Sequence, residues 1–345
     1  MQYNRSENKE RKPFIMKKIL ALLLSFVLLV LPLAACAPDL EGATVRIGGM
    51  TGPTSIGMAK LLADDKAGET ENDYDFTLVG DGAQMKTKLL TGEVDIAAIP
   101  ANLAAALYKA TEGKIKIIAV NTLGVVSLLE KGNTVNSLAD LRGKTVYAPA
   151  SAKGSIPEIV FTYLLKEAGL TVGADVQIEW VATVAGQTGN PLAPKLKTGE
   201  VVLSPEPAAT ALLSAVEGAR RAVSFNDVWK TLDNGSEYIT GVTVVRTEFA
   251  EAHPDAVKLF LADYEASIKF VGEKPADTAA LVTEFGILSQ GAALIEAAIP
   301  ACNIAFLDGE EMKAALSKYY ELLVPVLPTA FGGKTPDEGI YYIAD

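Results

Sequence analysis

Apolar and polar positions alternate along this chain with two periods, and one stretch of them occurs twice. Lys88-Leu-Leu-Thr-Gly-Glu-Val-Asp-Ile-Ala-Ala-Ile-Pro-Ala101 reads like Lys195-Leu-Lys-Thr-Gly-Glu-Val-Val-Leu-Ser-Pro-Glu-Pro-Ala208, 107 residues later, with eight of fourteen positions identical. Each copy predicts a helix end closed by Gly92 or Gly199, where glycine takes the left-handed conformation. A short apolar strand follows, and then a proline opening an Ala-rich helix. Upstream, the first copy predicts strand Thr44–Gly48, loop Gly49–Ser55, helix Ile56–Ala63 and strand Tyr74–Val79. The second predicts strand Thr145–Ala148, loop Pro149–Ser155, helix Ile156–Ala168 and strand Val176–Val181. Further apolar runs, Ile115–Val120 and Arg221–Phe225, end the copies. Strands alternating with helices in this way build mostly parallel sheets flanked by helices, so the pattern predicts an α/β protein of two similar lobes.

The pattern changes after Phe225. Ile239–Arg246 reads as a β-branched strand, followed by helices over Pro254–Val271, Asp277–Phe285, Ala292–Ala301 and Gly309–Val324. The economical arrangement returns the strand to the first sheet, so that these helices complete lobe 1 and two crossings, near Asn121–Ser127 and Glu237–Val242, form a hinge. The expected divisions are residues 37–124 with 238–345 for lobe 1 and residues 125–237 for lobe 2.

The start of the chain has a different character. Met16-Lys-Lys precedes an almost wholly apolar run, Ile19–Leu33, and then Leu33-Ala-Ala-Cys36. This is the form of a secretory signal with a small-residue cleavage site, the run being short of a membrane span and broken by Pro32. Its end resembles the bacterial lipobox, which implies that residues 1–36 are signal and lipobox, that Cys36 is lipidated, and that the mature chain is anchored outside the cytoplasm. The polar Met1–Ile15 leader is unusual for such a signal and leaves both Met1 and Met16 open as translation starts. Removing residues 1–35, which carry six Lys or Arg and two Asp or Glu, takes the formal charge from −11 to −15. So acidic a chain, without basic runs, argues against nucleic acid. With Cys36 committed to lipid, Cys302 has no partner for a disulfide and reads as a buried thiol. One His and one remaining Cys leave no Cys/His metal cage, and neither metal nor cofactor is expected.

Candidate binding groups gather on the loops expected at the carboxyl ends of the parallel strands, where α/β folds bind ligands. In the first lobe these are Met50, Thr51, Gly52, Thr54 and Ser55, then Asp81 and Gln84, then Ala101 and Asn102. In the second they are Ser151, Lys153, Gly154 and Ser155, then Thr183 and Gln187, then Glu206. Glycines let backbone N–H groups approach a ligand at a helix start, and Lys153 beside Gly154 and Ser155 could hold an anion. Asp81 and Glu206 could receive an amine or a ring N–H, with Asn102 and Gln187 offering both donors and acceptors. These residues also suit plain turns and helix caps. Dinucleotide and Walker spacings are absent. Arg46, Arg142 and Arg246 fall in or beside strands rather than on loop tips, so no arginine clamp for a sulfonate or carboxylate is visible.

The turn Gly49–Ser55, the lead-in Leu138-Ala-Asp-Leu-Arg-Gly-Lys-Thr-Val, the helix start Glu206-Pro-Ala-Ala-Thr and the run Val244-Val-Arg-Thr-Glu-Phe-Ala-Glu-Ala-His-Pro-Asp-Ala-Val carry a family resemblance. The whole chain after Cys36 resembles extracytoplasmic solute-binding lipoproteins of ABC importers, with the type II periplasmic-binding-protein fold. It is most similar to the branch that binds alkanesulfonates, taurine, nitrate and thiamine-pyrimidine precursors. The resemblance implies a monomeric receptor that closes two lobes on a small organic anion or heterocycle and docks on an ABC permease with its ATPase. A TRAP-type solute receptor stays open as an alternative. So does a thiamine-pyrimidine-synthase-like enzyme, although those enzymes depend on a His and a Cys-rich segment and this chain offers only His253, at a helix start, and no Cys cluster. No catalytic residue is expected.

Overall fold

The computed structural model describes residues 40–183 and 189–344. Its strands are β1 (Thr44–Met50), β2 (Asp73–Val79), β3 (Ile96–Pro100), β4 (Ile115–Leu123), β5 (Val126–Lys131), β6 (Thr145–Pro149), β7 (Gln177–Val181), β8 (Val201–Pro205), β9 (Ala219–Ser224), β10 (Ile239–Arg246) and β11 (Ile304–Leu307). They form two sheets, one ordered β11-β4-β10-β3-β1-β2 and the other β7-β6-β8-β5-β9. The repeat survives as geometry. β1 lies parallel between β2 and β3, with Ile47 opposite Phe76 and Ile96. In the same way β6 lies parallel between β7 and β8, with Val146 opposite Ile178 and Val201.

Each sheet also holds one antiparallel strand in the same slot. β10 runs between β3 and β4, pairing Val242 with Ile99 and with Val120. β5 runs between β8 and β9, pairing Leu128 with Leu203 and with Val223. The return of Ile239–Arg246 to the first sheet is therefore as expected. The counterpart in the second sheet is β5, which leaves β4 through Gly124 and Val125 alone. An edge strand, β11, adds to the first sheet antiparallel to β4. The parallel repeats thus sit in mixed sheets, each with one antiparallel strand that arrives from the other lobe.

The expected helices form, with local differences at their ends. After β1 a 3-10 turn over Pro53–Met58 precedes the α-helix Ala59–Ala67, where a helix from Ile56 was expected. Proline fixes the first φ of that turn and Gly68 closes the helix in the left-handed region (φ 72°). Gly92 closes the helix Gly82–Thr91 in the same way (φ 73°). Helix Pro254–Glu273 packs on helix Ala59–Ala67 and buries Phe260 and Tyr264 with Val45 and Ile47 of β1. The last long helix, Gly309–Leu323, touches β4 and also helix Ile156–Glu167 of the other sheet. An aromatic seam runs along this junction. Trp229 lies 5.1 Å from Tyr163, 5.8 Å from Tyr238 and 6.0 Å from Tyr319 between ring centroids, and Tyr319 continues to Tyr320 and Phe331. Such pairs add to the burial of large apolar surface.

Two buried carboxylates fix the sheets. Asp95, 1% exposed, receives Arg46 Nε at 2.7 Å and Nη2 at 2.6 Å, and Arg246 Nη1 at 3.1 Å. Since Arg46 is on β1 and Arg246 ends β10, this triad locks the β1-β3-β10 register at the sheet end remote from the loop tips. Glu130 on β5, also 1% exposed, pairs with Arg220 of β9 and accepts the amides of Thr134 and Val135. Burial pushes its carboxyl up, but those amides, the Thr134 hydroxyl and Arg220 outweigh burial and hold it below the usual carboxylate range. Buried charges persist because each is paired and hydrogen-bonded.

On its Tyr238 side the first crossing is tightly packed. A Cβ on Gly124 would stand 2.1 Å from Tyr238 Cδ1, a ring fully buried against Trp229. Gly124→Ala is expected to lose about 1–3 kcal/mol or more through overpacking. Gly272→Ala, on helix Pro254–Glu273 with no atom within 4 Å of its Cβ position, is expected to hold or gain up to about 1 kcal/mol. Urea denaturation midpoints of the two variants check the contrast, and equal midpoints would contradict it.

Candidate ligand-binding site

The loop tips lie where the strand ends were expected to place them, but most of their polar groups are engaged with their own backbone. Ser55 is fully buried, accepting the Met50 amide at 2.8 Å and donating to the Met50 carbonyl at 2.7 Å. It thereby folds Met50, Thr51 and Gly52 into a tight turn. Gly49 allows the approach, since a Cβ there would stand 2.8 Å from Ser55 Oγ. Thr54 is buried with its methyl against Gly241 of β10, while Thr51 is exposed. Asp81 caps helix Gly82–Thr91, accepting the amides of Ala83 and Gln84 at 2.9 Å and the Gln84 side chain at 3.0 Å. The Gln84 amide and side chain, with Ala83, hold its carboxyl below the usual range. The Ala101 carbonyl accepts Tyr320 Oη–H at 2.8 Å, and Asn102 Nδ2 donates to Ala330 O at 3.4 Å.

In the second lobe the expected anion cradle holds a carboxylate of the chain itself: the Gly154 amide donates to Glu158 of the following helix. Ser155 Oγ donates to the Ala152 carbonyl at 2.7 Å. Ser151, Lys153 and Thr183 are exposed, and Gln187 lies outside the described residues, as does Cys36. Glu206 is drawn inward. Its Oε2 accepts the Thr210 hydroxyl at 2.8 Å and amide at 3.2 Å, and its Oε1 faces Arg221 Nη2 at 2.7 Å.

Arg221 is the site residue that the sequence reading passed over. Arg220 and Arg221 are neighbours on β9, so their side chains leave opposite faces, and each meets a buried glutamate, Glu130 or Glu206. The available signal was an arginine pair inside a strand facing a glutamate at a strand end. Arg221 Nη1 also donates to Ser127 Oγ at 3.1 Å. The guanidinium lines a cavity of about 180 Å³ where the first crossing, Gly124–Ser127, meets Ser224 and Asp227 from one lobe and Pro300, Ala301 and Asn303 from the other. Asn303 Nδ2 donates to the Gly124 carbonyl and Asn303 O accepts the Leu123 amide at 2.9 Å, fixing that wall to the crossing. Next to it, Cys302 is fully buried as expected, and burial, then nearby Glu206, pushes its thiol up. A larger cavity, about 280 Å³, lies between Tyr108, Lys109, Lys334 and Asp337 at the far end of helix Ala101–Ala110. First-lobe residues alone build it, whereas both lobes shape the smaller cavity. Among the described residues no group of three or more His, Cys, Asp or Glu is placed to hold a metal ion, and no helix is long and apolar enough to cross a membrane.

The sequence model of the NMT1/THI5-like family matches residues 115–278. A search of curated proteins finds no match. Among solved structures, an ABC transporter protein from Parabacteroides distasonis is similar over 88% of this chain and 99% of its own, at 23% identity and a TM-score of 0.70. The periplasmic aliphatic sulphonate binding protein SsuA from Escherichia coli covers 88% of this chain and 92% of its own, at 16% identity and a TM-score of 0.68. The ligand-binding component of an ABC-type import system from Staphylococcus aureus covers 87% and 97%, at 15% identity and a TM-score of 0.62. The chain therefore has the periplasmic-binding-protein fold, in the type II form read from its sequence, and one of these neighbours, SsuA, is by its name an aliphatic sulphonate binding protein.

The Ser55 turn allows a direct check. Ser55→Ala leaves the part-buried Met50 amide without its acceptor and is expected to cost about 1–3 kcal/mol, whereas the exposed Thr51→Ala should stay within about 0.5 kcal/mol of wild type. Denaturation of both variants reads the difference, and a neutral Ser55→Ala would contradict the staple.

Proposed function

We propose that this chain is an extracytoplasmic receptor, anchored through a lipidated Cys36, that captures a small organic nutrient between its lobes and delivers it to the permease and ATPase of an ABC importer. The observation that carries the reading is the exchange of antiparallel strands. Each lobe has its own β-α-β sheet completed by a strand from the other, and the two are joined through Leu123–Val126 and the segment before Ile239. Residues 37–124 with 238–345 then move as one lobe and residues 125–237 as the other. Short paired crossings permit rotation about themselves while the packed sheets stay rigid, which is hinge closure. Closure requires a ligand that touches both lobes, and the cavity at Arg221 and Asn303 supplies walls from each.

The names of the solved neighbours support an ABC importer over a TRAP system, and they describe transport and binding proteins rather than enzymes. Neighbour likeness supports no particular nutrient, and both organic anions and small heterocycles fit the loop chemistry. The protein works as a monomer and a binding protein, with the exposed loop groups Thr51, Lys153, Ser151 and Thr183 placed to meet ligand on closure.

A thermal-shift screen of the full-length chain against sulfonates, carboxylates, pyrimidines, flavins and amino acids tests capture. A ligand at ~100 times its Kd should add about 2.7 kcal/mol of stability and raise Tm visibly. Expression in a bacterial host should give an intact mass carrying acyl chains that Cys36→Ala abolishes. No shift with any millimolar ligand would sink the receptor reading, and an unacylated wild-type mass would sink the anchor.

A further inference from the structure

The cavity at the first crossing carries a charge arrangement with consequences for what it accepts. Its lining holds one cation, Arg221, and one exposed carboxylate, Asp227. Behind Arg221 stands Glu206, whose side chain is wholly shut from solvent while that of Arg221 is 28% exposed. Glu206 cannot itself reach a ligand. Its Oε2 accepts from Thr210, while Oε1 is ion-paired with the guanidinium at 2.7 Å and accepts no hydrogen bond. A guanidinium has five N–H donors in a rigid planar fork. Ser127 and Glu206 fix its orientation and leave further donors to the cavity.

Electrostatics then separate two kinds of ligand. Arg221, Glu206 and Asp227 together leave a single net negative charge, so a simple anion would compete with Glu206 for the guanidinium and also face Asp227. Glu206 is shut from solvent, so its hold on the guanidinium is little screened, whereas the repulsion from exposed Asp227 is weakened by water. A molecule without net charge meets no such opposition, provided that it brings an acceptor for Arg221 and an N–H donor for Asp227. The volume, about 180 Å³, equals roughly six waters at ~30 Å³ each, which suits a small ligand or the polar head of a longer one.

We infer that Arg221 reads the ligand, that Glu206 is its positioning residue, and that this cavity selects a small net-neutral molecule with an acceptor and an N–H donor over a simple anion. The inference rests on the receptor reading and goes further by assigning the residue and the charge class.

Matched probes test it on the full-length chain by calorimetry and thermal shift: butyramide and 4-aminobutyrate, which are net neutral, against butyrate and inorganic sulfate. Wild type should bind at least one neutral probe fivefold or more tightly than butyrate, and Arg221→Gln should weaken that probe at least tenfold. Glu206→Gln frees the guanidinium from its counter-charge, so butyrate or sulfate affinity should rise at least fivefold. A purely structural role for Glu206 would not produce that gain. Should Glu206→Gln fail to fold, Asp227→Asn at the exposed position should raise anion affinity in the same direction. The inference is overturned if wild type prefers butyrate or sulfate, if no probe binds, or if neither carboxylate variant gains anion affinity. A ligand from the broad screen that binds wild type and Arg221→Gln equally would leave the receptor standing and remove only the role given to Arg221.

Discussion

The structure depends on a swap: each sheet is completed by a strand that arrives from the other lobe. β10 enters the first sheet only after the second has been built, and β5 enters the second directly from the first. Both lie between parallel strands and run against them, so their backbone groups are paired on both sides. Neither lobe can form its full ladder without the crossing that brings this strand. The crossings are therefore part of the cores rather than linkers between them, and this explains why Gly124 lies against the buried ring of Tyr238.

Charge placement follows the same logic. Asp95 with Arg46 and Arg246, and Glu130 with Arg220, put paired charges inside sheets where they fix register at points removed from the loop tips. The third buried carboxylate, Glu206, is at a strand end, and its arginine faces a cavity shaped by both lobes. Identical chemistry thus serves register in two places and faces open space in one. The difference lies in which end of the strand carries the acid.

Much of the fold could be read from the sequence because its repeat is one of residues as well as of pattern: Gly92 and Gly199, the Glu-Val that follows each, and the helix starts Ala101 and Ala208 mark the same points in both lobes. The return strand Ile239–Arg246 was legible from its β-branched run. β11 was not, since four half-buried residues at a sheet edge carry little alternation. The site was harder. Ser55, Asp81, Ser155 and Glu206 stood at the right strand ends, but whether a hydroxyl or carboxylate caps its own helix or faces a ligand depends on distances of an ångström or two that spacing does not encode. Arg221 was hidden because an arginine inside a strand reads as a surface residue until the partner across the sheet, Glu206, is known. The likeness to solved binding proteins repeats this division: at identities of 23% and below it fixes the fold and leaves the ligand to the side chains of this chain.

In the proposed receptor, two rigid lobes close on a ligand by turning about two short crossings. Pulsed dipolar spectroscopy can follow this motion, with spin labels at Lys86→Cys in one lobe and Lys166→Cys in the other, both exposed, on a chain lacking Cys36 and Cys302. The interlabel distance distribution should be broad without ligand and shorter and narrower with a saturating ligand, while that of a label pair within one lobe stays unchanged. An interlobe distribution that a bound ligand leaves unaltered would contradict this closure.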